Sequence, residues 1–299
     1  MDTTHLGELA AICTALLWTL SALSWTSAAK HMGALAVSFI RLLVVCVYLL
    51  IYGQIFRGMA LPLDADAQTW LLLASSGFFG FFIADFCLFK AFLLIGPRLS
   101  LLLQTLQPPL AQIMAWLFLG DKLGLKNCMG MGITLTGVIW VLLERSETPQ
   151  EHHLRHHIGR GILLALVSAF AGAIGALLAK TGIGNYDAVA ATFIRVLGAI
   201  VGYVLIVTFM RRWPAVRRAA QHGRSMRIVM FASFVGPFLG VIFFMVALRH
   251  CQVGVVTTIV NTMPVLILPI IIIVYREKVS LRAWIGATIA VLGVAILVL

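Results

Sequence analysis

The chain is 299 residues long, 61% hydrophobic and 11% charged, with a formal net charge of +11 and a mean hydropathy of +1.03. Soluble domains carry roughly 25% charged residues, so a water-soluble fold is excluded and the chain belongs in a bilayer. The positive charge does not point to nucleic acid, because the basic residues fall in loops and at span ends, where they report orientation instead.

Apolar stretches long enough to cross a hydrocarbon core of about 30 Å predict an all-α integral membrane protein with ten transmembrane helices. The spans are 6–29, 34–55, 68–94, 98–119, 126–143, 160–180, 188–210, 226–248, 253–274 and 281–299. The leading MDTTHLGELAA has no Lys or Arg before an apolar run too long for a signal-peptide core, so span 1 reads as a retained helix. The longest polar connections, Glu144 to Arg160 and Arg211 to Arg227, leave no room for a soluble domain.

Along span 1, Thr14, Trp18, Ser21 and Trp25 form one stripe that suits either a cavity wall or ordinary packing with interfacial tryptophans. Span 2 opens on Ser38-Phe39-Ile40-Arg41. In span 3, Asp85 lies just past the middle, where burying a charge costs about 3 kcal/mol. It is a candidate for ion or proton coupling, a contact for a cationic group, the partner of an arginine, or a neutralised structural carboxyl. Lys90, towards the end of that span, and Arg249, towards the end of span 8, read as snorkelling anchors.

In span 4, Ser100, Gln104 and Gln107 share one helical face and lead to Pro108-Pro109 near mid-span. Each proline removes a helical hydrogen bond and frees carbonyls upstream. The equivalent span 9 carries Thr257 and Asn261 before Pro264, with Pro269 beyond. Matching interruptions at mid-depth are tolerated where they face protein or a wet cavity, so Ser100, Gln104, Gln107, Thr257 and Asn261 are candidate cavity residues, together with Trp18 and Ser21.

The second half repeats the first. His5-Leu6-Gly7 matches His157-Ile158-Gly159, and Ser38-Phe39-Ile40-Arg41 matches Thr192-Phe193-Ile194-Arg195. From there the offset settles at 156, pairing Gly80 with Gly236, Ala91 with Ala247, Pro108 with Pro264, Asp121-Lys122 with Glu277-Lys278, Gly130 with Gly286 and Gly137 with Gly293. The chain therefore divides into a first repeat (1–143), a His-rich connector (144–158) and a second repeat (159–299). Five spans per copy is an odd number, which makes the second copy inverted, with a central cavity, as alternating-access carriers are built.

Several pairs acquire a reading from the repeat. Arg41 and Arg195, equivalent near the starts of spans 2 and 7, are candidate paired gates or anion contacts at opposite faces, or simple anchors able to snorkel. The two acid-Lys pairs read as fixed turns, and the glycine pairs 130/137, 286/293, 77/80 and 236/240 as close helix contacts. Asp85 aligns with Val241, and the span 1 stripe with Leu166, Phe170, Ala173 and Leu177, so the cavity is asymmetric. Cys13, Cys46, Cys87, Cys128 and Cys251 stand singly as small apolar residues, and His152-His153-Leu154-Arg155-His156-His157 reads as a solvated linker rather than a metal site.

In the second half, the connections after spans 5, 7 and 9 hold twelve Lys and Arg, against two after spans 6 and 8. That bias assigns the odd-numbered loops to the cytoplasm and both termini to the periplasmic side.

The order of these features, with Ser/Thr-Phe-Ile-Arg opening span 2 of each copy, the mid-helix proline and the Asp/Glu-Lys closing that helix, resembles the drug/metabolite transporter (DMT) superfamily, and more narrowly its EamA-type bacterial exporters. The resemblance implies a multi-pass protein of the bacterial cytoplasmic membrane that exports a small metabolite, such as an amino acid or related compound, without a cofactor. A multidrug or other organic-solute permease of the same fold is the alternative. Glu8 sits at the edge of span 1, unlike the deep coupling glutamate of small multidrug-resistance relatives. No mid-membrane basic cluster like that of the anion-carrying relatives is evident. An integral membrane enzyme finds no HExxH, clustered carboxylates or Ser-His-Asp set in the chain, and a passive channel is the other rival.

Overall fold

The computed structural model describes residues 3–120, 124–143, 158–260, 262, 263, 266 and 280–298, and all regular structure among them is helical. In the first half, α1 (Thr3–Met32) turns at Gly33 into α2 (Ala34–Tyr52), which ends in a wider π-type coil at Gly53–Arg57. Next, α3 (Ala67–Gly77) passes through a π-helical segment, Phe78–Ile83, into α4 (Ala84–Gln104), which bends at Gly96 (φ 76°, ψ 164°). A side chain would be strained at that φ, and glycine is not. The chain then breaks at Thr105–Leu106, and α5 (Gln107–Leu119) carries its prolines in the first turn, where a missing N–H costs nothing. The interruption of span 4 thus falls at Thr105–Leu106, just ahead of the Gln107-Pro108-Pro109 start of α5. α6 (Leu125–Leu143) closes this half.

The second half contains α7 (Ile158–Ile183), α8 (Ala188–Phe209), α9 (Trp213–Ala220) and α10 (Gly223–Ser233). A second π segment, Phe234–Gly240, leads to α11 (Val241–His250), and then come α12 (Val253–Val260) and α13 (Leu281–Val298). Among the described residues, six continuous helical stretches are long and apolar enough to cross a membrane, namely His5–Met32, Ala34–Arg57, Ala67–Gly96, Ile158–Ile183, Ala188–Phe209 and Gly223–His250. The connection from Arg211 to Arg227 contains α9, which buries Val216 and Ala219 and exposes Arg217 and Arg218.

Phe78 and Phe234 differ by the repeat offset, so the two π segments begin at equivalent positions. A π coil leaves carbonyls without their usual partners, and side chains from other helices take them up. Tyr203 Oη donates to the carbonyls of Phe81 and Phe82 at 3.3 and 3.4 Å, and Thr14 Oγ1 donates to Gly240 at 3.2 Å.

Helices meet through small residues, as they must where lipid is as apolar as leucine. Ser76 Oγ donates to the Gly175 carbonyl at 2.6 Å, and a Cβ added at Gly175 would lie 2.8 Å from Gly80 Cα. At the second π segment, Gly236 abuts Ser21 and Gly240 abuts Trp18. Gly137 faces Gly286 and Ala290, while Gly293 faces Gly130 and Thr134. Residue numbers rise along α6 as they fall along α13, so these two equivalent helices run antiparallel. The buried core runs through both halves and includes Ala11, Val37, Phe39, Leu73, Ile194, Tyr203 and Met245.

Candidate functional site

Both halves contribute to one internal cavity of about 130 Å³, close to the ~150 Å³ that accepts a benzene molecule. One wall comes from Trp18, Ser21 and Trp25 of α1 and from Arg41 of α2. The lining continues with Gly80 and Phe81 of the first π segment, Asp85 and Phe89 of α4, and Arg195 of α8. Gln104 and Gln107, on either side of the α4–α5 break, line it with Ser168 and Gly172 of α7. Pro237 of the second π segment, Phe244, Val260 and Met263 also line it.

Among the described residues, charge enters this cavity through Arg41, Asp85 and Arg195. Arg41 Nη2 and Asp85 Oδ2 form an ion pair, and the Arg41 guanidinium lies over the rings of Phe89 and Trp25, 4.9 and 5.5 Å from their centroids. Arg195 stands over Phe81 and Phe244 at 4.4 and 5.6 Å, and its Nη1 donates to Met245 Sδ at 3.2 Å. Phe89 and Met245 are themselves equivalent under the repeat, so each arginine meets the same position of its own half with a different side chain. Neither arginine snorkels. They are 6% and 3% exposed, and both line the same cavity rather than separate surfaces. The mid-membrane basic cluster that is not evident in the sequence is therefore present, built from residues 154 positions apart.

The amides are held as well. Gln104 Nε2 donates to Ser168 Oγ at 2.5 Å, and Ser168 Oγ donates to the Ala84 carbonyl at 2.7 Å. Gln107 occupies space left by Gly172, where an added Cβ would fall 3.0 Å from the amide carbon.

Two residues expected in the cavity are absent from its lining. Ser100 Oγ donates to Gly96 O at 2.8 Å, and Thr257 Oγ1 to Val253 O at 2.7 Å. Both are fully buried, and a hydroxyl bonded to its own helix's carbonyl is turned back along that helix. Thr14 is likewise committed to the contact between α1 and the second π segment. Pro108 is buried at the start of α5 beside Gln107. Asn261, Pro264, Pro269, both acid-Lys pairs and the connector histidines lie outside the described residues. Sequence reasoning misses Pro237, although a proline inside an apolar span is a visible signal. It also misses Ser168, Gly172, Phe89 and Met245, which nothing in a single sequence distinguishes from packing residues.

Towards the end of the molecule bearing the α7–α8 turn, polar contacts tie several loops together. Tyr186 Oη donates to Asp64 Oδ1 at 2.8 Å, Arg57 Nη2 donates to Asp64 Oδ2 at 2.8 Å, and Arg57 Nε lies 3.6 Å from Asp187. Lys180 Nζ donates to the carbonyls of Leu248 and Cys251, and Arg249 Nη2 to that of Asn185. Arg249 is thus a loop tie, not only an anchor. Burial raises the Asp64 carboxyl, but the bonds from Tyr186 and Arg57 outweigh it and hold the group below the usual carboxylate range. The Tyr186 hydroxyl is pushed up to about 12, first by burial and then by its bond to Asp64.

No curated protein matches the chain. A solved structure described only as "Crystal structure of protein" is similar over 97% of this chain and 95% of its own, at 18% identity and a TM-score of 0.72, which establishes a shared fold. The model of the EamA-like transporter family matches residues 5–143 and again 159–299. With both copies matched, the chain belongs to the EamA-like transporter family of the DMT superfamily and is a multi-pass membrane transporter.

Proposed function

We propose that this protein is a secondary transporter that exports a small metabolite, an amino acid or related compound, across the bacterial cytoplasmic membrane by alternating access. One observation carries the reading: equivalent elements of the two halves converge on a single cavity that holds polar and charged groups inside an apolar protein. Such groups are costly in a membrane and mark substrate or ion pathways. The antiparallel contact between α6 and α13 supports an inverted second repeat, which is the arrangement that lets one site be reached from either side in turn.

The orientation follows from charge. α9 and its flanks concentrate Arg211, Arg212, Arg217, Arg218, Arg224 and Arg227 in one exposed stretch, suited to the anionic cytoplasmic leaflet. Both termini then lie on the periplasmic side, and the Asp64–Tyr186 contacts form the outer closure. Asp85, Arg41 and Arg195 are the coupling or gating residues of this scheme. Gln104, Gln107, Trp18 and Ser21 are its cargo contacts, with Pro108 marking the break that frees backbone carbonyls beside them.

The test is counterflow in proteoliposomes over a panel of amino acids and organic solutes, with and without a pH gradient. Saturable flux accelerated by cargo on the opposite side is expected. Non-saturable flux without counterflow would identify a pore instead.

A further inference from the structure

The cavity is not electrically balanced. Among the described residues its charged lining is Arg41, Asp85 and Arg195, two guanidiniums for one carboxylate, and the carboxylate's ion pair is with Arg41. Arg195 is 3% exposed. Among the described residues its Nε has no hydrogen-bond partner, and the acceptor of its Nη1 is a thioether sulfur, a weak one. The ring faces of Phe81 and Phe244 offset part of the burden. Cation–π contacts contribute about 0.5–2 kcal/mol, less than the several kcal/mol that burying an unpaired guanidinium costs. A guanidinium presents its donors as a fork that matches a carboxylate, and apart from Ser21, Gln104, Gln107 and Ser168 the rest of the lining is apolar, with Trp18, Trp25, Phe81, Phe89, Phe92 and Phe244 as its rings.

From these observations we infer that the cavity is a site for a small organic monoanion, a carboxylate on an apolar or aromatic body, with Arg195 as the residue that receives the carboxylate. This rests on the transporter reading and narrows its cargo from amino acids and related compounds to the related carboxylic acids that lack the ammonium group. The bound anion brings the site to neutrality: Arg41 keeps Asp85, Arg195 takes the cargo's carboxylate, and the ring packs among Trp18, Phe81 and Phe244. A zwitterion or a cation brings a positive charge into a site that already has one in excess, and a neutral solute leaves that excess uncompensated.

Four probes on one scaffold separate these cases: phenylacetate, phenylglycine, 2-phenylethylamine and 2-phenylethanol. Equilibrium binding to the purified full-length protein should favour phenylacetate over each of the others by about tenfold or more, as a charge-assisted hydrogen bond requires. Arg195→Gln balances the resident charges and should erase that preference, so that phenylethanol binds at least as well as phenylacetate, while Arg195→Lys keeps it. Asp85→Asn raises the excess and should tighten phenylacetate further, which gives a gain of function if Arg195→Gln does not fold. Absence of saturable phenylacetate binding, equal or tighter binding of phenylglycine or phenylethylamine, or an unchanged preference in folded Arg195→Gln would each overturn the inference. Counterflow of the same probes distinguishes it from the reading it rests on. Phenylacetate binding without counterflow of any compound keeps the anion site and removes carriage, whereas carriage of the neutral or cationic probes without the acid keeps carriage and removes the anion site.

Discussion

The ion pair between Arg41 and Asp85 joins α2 to α4 on the cavity wall, with side chains 7% and 20% exposed. Removing one member of a buried pair strands the other charge, at a cost of about 3–5 kcal/mol, whereas replacing both by apolar residues is often neutral. Arg41→Ala should therefore lower stability by about 3 kcal/mol, and Arg41→Met combined with Asp85→Leu should recover most of it. Unfolding monitored by tryptophan fluorescence in detergent reads both. A double variant no more stable than the single one would show that the pair is not the source of the loss.

The contact between Asp64 and Tyr186 depends on pH in a direction set by these two groups. The Asp64 carboxyl is lowered in the folded protein, so its contribution is present above about pH 4 and is lost as pH falls through the depressed value. The Tyr186 hydroxyl is raised to about 12, so its contribution is present below about pH 10 and is lost as pH rises through 12. Stability from this contact should be flat between about pH 5 and 9 and decline on both sides. The contact is partly exposed, so Asp64→Asn or Tyr186→Phe should each cost less than about 1 kcal/mol. Thermal unfolding across the pH range, variant against parent, measures the difference, which should vanish at both extremes.

Gly175 sits where α7 crosses the first π segment, with Gly80 against it. A methyl group there forces the helices apart, and Gly175→Ala should cost about 1–3 kcal/mol, as overpacking does. An unchanged unfolding midpoint would mean that the contact is looser in solution than in the structure.

Gln104 and Gln107 line the cavity from either side of the same break, but only Gln104 is tied to Ser168. Gln107→Ala should raise the apparent KM for the transported solute several-fold at unchanged protein abundance, the effect of about 1 kcal/mol. Gln104→Ala should in addition reduce stability, because it removes the amide that donates to the buried Ser168 oxygen, which keeps only its own bond to the Ala84 carbonyl. Transport kinetics and unfolding curves on the two variants separate these effects.

The helical repeat, the glycine contacts and the α4–α5 break are legible in the sequence, because each leaves a mark at fixed spacing: an offset of 156, paired glycines, and prolines at mid-span. Convergence of Arg41 and Arg195 on one cavity is not legible there. Depth along a helix can be counted from sequence, but the direction of a side chain depends on helix tilt and on π turns, which have no residue signature. The same limit applies to Ser100 and Thr257, whose spacing fits the cavity face while their hydroxyls are spent on their own helices.

The π segments also set the angular phase of the helices downstream of them. Each residue of an α-helix turns the chain by about 100°, so an extra residue in the coil re-aims every side chain beyond it. Upstream of Phe78, Gly77 packs on the α8 backbone at Arg195, and downstream Asp85 reaches the cavity. Deleting one residue from Phe78–Ile83 would restore an even pitch and swing Asp85 away from Arg41 without changing any side chain's chemistry. The wider coil is thus an indexing device that lets a single span serve two neighbours in different directions.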